Sequence, residues 1–375
     1  MGQSEFDSGW MRRGTNRGKL GQFNGGAAVL VIEMEPELKP ETWAFHLFGF
    51  IVPLSVLWGN YTGGYWVFGG TVLALGIYPI LDQAFGEAKP ARPPPKSGRP
   101  YELMLVAHAL LSPLIIASLC WRAMQDGNSW TLWVAGFSTG ISAGISGIVV
   151  AHELGHTKPK SAKWWLGRMN LVLALYAHFT TEHNYNHHKT VATDLDPASA
   201  PQGRGLWLHV AQTVPRQFLS AWRTEVSRAE KKGKSTFFLY NPVFLGLVVE
   251  AALVAAIWFG FGQWVLVAFL YQAAVSIFLL EFVNYIRHYG LRRTVDERQT
   301  EMHSWQSEKR WSRWTLLELT RHPAHHMKAS LPFWQLQPYE GAPTLPSGYF
   351  GVFWPSLIPP LWHRWMKPRI PADMQ

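Results

Sequence analysis

Six apolar runs, each long enough to cross a membrane, constrain this chain more than any other feature. They lie at Trp43–Asn60, Tyr65–Leu81, Leu103–Trp121, Trp130–Val150, Pro242–Phe259 and Trp264–Ile286. A hydrocarbon layer about 30 Å thick takes roughly 20 apolar residues of helix. Only 16% of the residues are charged, against about 25% in soluble domains, and the charge lies between the runs. Core helices of a large soluble protein would not repeat runs of this length six times. The sequence therefore predicts an all-α integral membrane protein, a bundle of six transmembrane helices. Residues 1–40 are polar and Gly-rich and are expected to form a disordered tail. No small-residue cleavage pattern follows the first run, so it is not a signal peptide. Residues 41–290 are expected to hold the six helices and their polar loops, and residues 291–375 a polar C-terminal segment rich in Trp and Pro.

Basic residues in short loops set orientation. Arg12, Arg13, Arg17, Lys19 and Lys39 precede the first run, and Lys89, Arg92, Lys96 and Arg99 separate the second from the third. The loops Gly59–Gly64 and Gly260–Gln263 hold no basic residue. Both termini are thus expected in the cytoplasm, a bacterial inner membrane being the setting. Beyond the spans, 164–180 reads as a helix at the membrane surface. Residues 190–240 read as mixed polar and helical, and the Pro-rich stretch 89–100 as an extended connection.

Nine of the fifteen histidines fall in four places, all on the expected cytoplasmic side. They are His152 and His156 in HELGH, His183, His187 and His188 in EHNYNHH, His288 in NYIRHYGL, and His322, His325 and His326 in RHPAHH. Imidazole is the commonest ligand for redox-capable first-row metals. Nine are too many for one ion, and the natural count is two metals in one cage. Three pairs stand four apart (152/156, 183/187, 322/326), which puts two rings on one helix face. The lone His288 gains weight from Asn284, Tyr285 and Tyr289 beside it. Glu153, Glu182 and Glu281 are the candidate catalytic carboxylates, as groups that orient a ring or a proton path. Glu281 stands inside an apolar run, where a charge is costly. Asp194 and Asp196 also lie near the clusters. His46, His108, His178, His209 and His363 lie outside the motifs and read as structural.

HELGH also matches the zinc-protease signature, in which the glutamate activates water. A protease would leave six or seven histidines unused. A metal transporter would place its ligands at mid-membrane. Neutral imidazoles with open positions suit iron that binds O₂, and a cage at the foot of an apolar bundle suits a substrate that lives in lipid. That argues for oxidation of a hydrophobic molecule, without separating hydroxylation from desaturation. Such a substrate needs an apolar channel, for which small Ala74 and Gly76 offer a wall.

The motifs HELGH, TEHNYNHHKTVAT with DLDPAS, NYIRHYGL, HSW at His303–Trp305 and LTRHPAHH together resemble the membrane alkane 1-monooxygenase family, with its xylene and cymene monooxygenase relatives, inside the fatty-acid desaturase and hydroxylase group. PILDQAFGE at Pro79–Glu87 and LPSGY at Leu345–Tyr349 fit the same pattern. The resemblance implies that all nine histidines bind two iron ions in a cytoplasmic cap that the C-terminal segment completes. It implies that one oxygen of O₂ enters a terminal methyl group, with electrons from a rubredoxin or ferredoxin-type partner. The flanks depart from the family. Asn186 stands where Gly is usual, Arg287 where Glu is usual, and MKASLPFWQLQPYE where an Arg-rich stretch is usual. Alkyl-aromatic methyl groups are therefore the alternative substrate.

Two electrons per turnover need a second protein, because the chain has one cysteine, Cys120, and no flavin or dinucleotide fingerprint. Its net charge of +9 is spread over loops beside the spans, which suggests headgroups rather than nucleic acid. Lys158, Lys160, Lys163, Arg168, Arg216 and Arg223 surround the first two clusters and are the expected docking face for an acidic donor.

Overall fold

The computed structural model describes residues 38–375. The tail expected to be disordered, with Arg12, Arg13, Arg17 and Lys19, lies outside the described residues. Pro40–Gln375 forms one compact unit, and the segment from residue 291 onward is part of it.

All six expected spans are present as helices: α1 (Trp43–Thr62), α2 (Gly64–Ala84), α3 (Arg99–Asp126), α4 (Trp130–Gly155), then α7 (Pro242–Phe261) and α8 (Gln263–His288). Between the fourth and fifth come α5 (Ala162–Leu173) and α6 (Leu206–Glu230). The described residues contain no strand, only two isolated bridges. Two spans overrun their apolar runs at the end that carries histidines. α4 continues through His152 to Gly155, and α8 through Arg287 to His288. The overrun places ligand-type side chains on rigid helix at the ends of these spans.

α4 is the central pillar: 78% of its most apolar window is buried, against 22% for α2 and α7. α8 packs along α4 and α3, and α1 along α3. Small residues permit this closeness, and a Cβ at Gly140 of α4 would meet the Val275 side chain of α8. Polar pins lock the bundle. Asn60 donates to Thr139 Oγ1 and Ser118 Oγ, both at 3.0 Å. Such bonds hold well in a medium that offers no water.

Two readings of the loops need correction. The surface helix expected over 164–180 stops at Leu173, because Leu175 turns left-handed at φ 54°, and a new helical segment begins at Phe179. Over 190–240 only α6 is a long helix, since residues 191–205 run in turns and irregular backbone.

The C-terminal segment closes over the end of the bundle. Asp82, fully buried near the end of α2, accepts from Ser312 N, Ser312 Oγ and Gly351 N at 3.0, 2.9 and 3.2 Å. Gly348 lies against that carboxylate with no room for a side chain. The PILDQAFGE and LPSGY stretches are therefore two halves of one clasp. A second clasp is ionic. Arg313 bonds both oxygens of Glu318 at 2.7 and 2.9 Å, Arg321 both oxygens of Glu308 at 2.8 Å, and His46 faces Glu318 at 3.0 Å. The arginines hold the Glu318 carboxyl well below the usual range, against the upward push of burial. Short helices α9 (Arg310–Thr315) and α10 (His322–Met327) flank this cluster.

Candidate metal centre

Every one of the nine motif histidines reaches one place. Their donor atoms form two groups of four, each within 4.8 Å: His152, His156, His183 and His325, then His187, His288, His322 and His326. His188 joins the first group, with its Nε2 at 3.0 Å from His183 Nε2 and 3.1 Å from His325 Nε2.

The pairing is not the one that spacing suggested. His152 and His156 share a group, as do His322 and His326, but His183 and His187 do not. The cause is local. Residues His183–His187 form a π turn, and the His188 N–H reaches the His183 carbonyl. A π turn takes five residues where an α turn takes four, so His183 pairs with His188 and His187 turns to the other group. α10 bridges both groups, with His325 in the first and its neighbours His322 and His326 in the second.

These sites fit metal ions by their own chemistry. His152 Nε2 and His325 Nε2 lie 3.1 Å apart, and His322 Nε2 faces His288 Nε2 at 3.1 Å and His326 Nε2 at 2.9 Å. A neutral imidazole has one N–H, so converging ring nitrogens cannot all hydrogen-bond to one another. His187 donates from Nδ1 to Asp196 Oδ2 at 2.9 Å, which leaves its Nε2 bare, buried and unpartnered. His288 donates from Nδ1 to the His303 carbonyl at 3.1 Å and likewise turns a bare Nε2 inward. Burial keeps the rings neutral. It pushes His156 down to about 4 and holds His183, His188, His322, His325 and His326 well below the ordinary imidazole value. His187 differs: burial lowers it, and the Asp196 carboxylate more than offsets that.

Of the three candidate carboxylates Glu182 and Glu281 are buried and Glu153 is half-buried, and none bonds an imidazole among the described residues. Glu153 accepts from Phe333 N–H at 2.9 Å and so ties the C-terminal segment to α4. Glu182 accepts from Asn186 at 2.8 Å, and burial, with Asp196 nearby, raises it to about 7. Glu281 accepts from Tyr176 OH, Gln217 and Asn284 at 3.0, 2.8 and 3.1 Å. The carboxylate that does orient a ring is Asp196, which sequence reasoning named only in passing. Its nine-residue distance from His187 gives no periodic signal. Among the outlying histidines, His46 faces Glu318 and His108 faces Ser146 Oγ at 2.8 Å, consistent with structural roles.

A narrow apolar cavity reaches the first group, with His152 and His183 in its lining. Its walls come from α2, α4, α8 and the C-terminal segment, and Ala74 lines it as expected. Gly76 does not line it. Two π-helical stretches, Val72–Ile77 and Ala143–Val149, contribute to these walls.

Over residues 128–365 the sequence matches the fatty acid desaturase family profile. It is 35% identical to alkane 1-monooxygenase 1 of Pseudomonas aeruginosa, covering 82% of this chain and 84% of that one. Alkane 1-monooxygenase of Pseudomonas putida is 31% identical over 93% of this chain and 90% of its own length. The hydroxylase component of a Pseudomonas putida xylene/toluene monooxygenase is 28% identical over 83% and 84%. The chain belongs to the alkane 1-monooxygenase family. It is an integral membrane oxidoreductase with a histidine-rich metal centre, and the zinc-protease reading of HELGH falls away. The Glu153 carboxylate, which that reading needs for water, is engaged by a backbone N–H.

Proposed function

We propose that this monooxygenase is an O₂-dependent diiron enzyme that hydroxylates the terminal methyl group of a hydrophobic hydrocarbon. The observation that carries the reading is the meeting of an apolar cavity with the first histidine group. The nine histidines would hold two irons, five in the first group and four in the second. Bound there, iron supplies the activation of O₂ that neutral side chains lack. The balance is RCH₃ + O₂ + 2 e⁻ + 2 H⁺ → RCH₂OH + H₂O.

The chain's own residues position and shield. Ile145, Ile148, Leu279 and Phe282 grip the apolar chain and exclude water. Asp196 and the His303 carbonyl fix the tautomers of His187 and His288. Phe282, Phe350 and Phe353 in the cavity wall, with the xylene/toluene relative, support alkyl-aromatic methyl groups as the second reading.

We place both termini and the centre on the cytoplasmic side, where a rubredoxin or ferredoxin-type donor with its reductase would deliver electrons. Lys158, Lys160 and Arg216 are exposed for such docking, while Lys163 is tied to Glu102 at 3.0 Å. Turnover should fall as salt rises, because the screening length is about 8 Å at physiological ionic strength.

The test is metal analysis with a product screen under ¹⁸O₂, using octane, hexadecane, a fatty acid and p-xylene. Two irons per chain and one labelled oxygen in an alcohol are expected. One zinc, or unlabelled product, would overturn the reading.

A further inference from the structure

Arg287 is a buried cation without an anion. It is 3% exposed and lines the same apolar cavity as His152 and His183. Its Nε donates to Tyr349 OH at 3.0 Å, and its Nη2 lies 3.4 Å from the Leu319 carbonyl. Among the described residues no carboxylate lies within 4.0 Å of its guanidinium, whereas the other buried arginines, Arg122, Arg313 and Arg321, each have one. Arg313 and Arg321 each hold a carboxylate by two hydrogen bonds.

The setting deepens the deficit. Arg287 immediately precedes His288, a member of the second histidine group. The nine imidazoles are neutral ligands, and Asp196 is the one carboxylate that hydrogen-bonds to any of them among the described residues. A desolvated positive charge is expensive unless it is paired. Asn284, one helical turn from Arg287, and Tyr349 make the same end of the cavity polar, while most of the remaining lining is aliphatic or Phe. A wholly apolar substrate would leave this end unsatisfied. A site built to hydrogen-bond its substrate discriminates strongly against an analogue that lacks the partner.

We propose that Arg287 binds a carboxylate carried by the substrate, so that the enzyme acts on a methyl-bearing carboxylic acid. The carboxylate lies within a few bonds of the methyl group that is oxidised, and the apolar remainder fills the cavity. Planar guanidinium matches carboxylate by paired, charge-assisted hydrogen bonds. The inference rests on reading the centre as the site of methyl oxidation, and it replaces the unsubstituted hydrocarbon of that reading with one that carries a carboxylate.

Two probe pairs test it on the holoenzyme in detergent: p-xylene against 4-methylbenzoate, and hexadecane against 2-methylhexadecanoate. Equilibrium binding is measured separately from ¹⁸O₂ incorporation, so that failure of the oxidation reading and failure of this one are distinguishable. The acids are expected to bind at least tenfold more tightly than their hydrocarbons. Arg287→Gln, which can keep a bond to Tyr349 and removes the unpaired charge, should fold with a Tm no lower than the parent and lose that preference. Arg287→Lys should keep part of it. Equal binding of acid and hydrocarbon by the unmodified enzyme would overturn the proposal without any variant, as would an undiminished preference in Arg287→Gln. Acetate added with p-xylene distinguishes the sources. If acetate stabilises the enzyme through Arg287 while 4-methylbenzoate gains nothing over p-xylene, the site takes a free carboxylate and the substrate assignment is wrong.

Discussion

The two histidine groups are made of one residue type and share α10, yet the protein holds them differently. In the second group, His187 is fixed by Asp196 and His288 by the His303 carbonyl, and none of its four rings lines the apolar cavity. In the first group, His152 and His183 face the cavity, and no carboxylate bonds any of its rings among the described residues. Hydrogen bonds to the outer nitrogen raise a ligand's basicity and fix its direction. The second group is thus the anchored one and the first the one that opens on the cavity. An enzyme that must hold metal firmly and still admit a hydrocarbon gains from separating the two tasks.

Removing a ring from either group tests that division most severely. His152→Ala and His326→Ala should each abolish turnover. Metal analysis should show the loss confined to one equivalent in each case, and simultaneous loss of both from either variant would merge the groups into one unit. His363→Ala, outside both groups, should be tolerated. The ionic clasp ahead of α10 serves both groups, so its failure should not discriminate between them. Glu318→Gln breaks a buried pair, a change that costs about 3–5 kcal/mol, and both metals should become labile together. The pH dependence has a definite sign. The Glu318 carboxyl is depressed in the fold, so its contribution is present above the ordinary Glu value of about 4.3 and is lost as pH falls through the lower folded value. The Tm gap between parent and Glu318→Gln should be widest near pH 7 and should narrow in acid.

Much of this was legible in the sequence because it depends on composition and short spacing. Six apolar runs gave six helices with ends a few residues out, and nine histidines in four motifs gave the whole ring set. What escaped was longer in range or depended on the local helix type. A four-residue spacing assigned His183 to His187, and the π turn assigned it to His188 instead. Glu281 stood out as a charge in a span, but it belongs to a network with Tyr176, Gln217 and Asn284. Asp196, which does touch a ring, sits in a turn where no periodicity points at His187. The absence of a carboxylate around Arg287 was invisible, since a missing partner becomes apparent only once the neighbours are in place.

Asp196→Asn sharpens the comparison at a milder level. The amide can still accept from His187 Nδ1 but loses its charge, and groups of this kind contribute about 10–100-fold to metal affinity. Metal should become that much easier to remove from the second group by chelator, with the first unchanged. Equal loss from both would mean that Asp196 supports the fold rather than one ring.

The smallest effect concerns the cavity, which should report on the first group alone. Ala74 is buried and lines the wall through the π stretch of α2. An indole there fills length that a substrate tail would occupy without touching a histidine. Ala74→Trp should therefore leave both metals in place and shift preference toward shorter substrates. The shift should be about tenfold, since each methylene a pocket accepts or rejects is worth roughly 1–3 kcal/mol. Gly76→Trp is the matched control: two residues along the same stretch, with nothing within 4 Å of a Cβ built there, it should change neither length preference nor metal content. The measurement is the product distribution from a mixture of octane and hexadecane, each also assayed alone. An unchanged distribution in Ala74→Trp would place the substrate path elsewhere. A change in metal content of the second group would show that the cavity wall and the anchored site are mechanically coupled, and the division of labour between the two groups would fail.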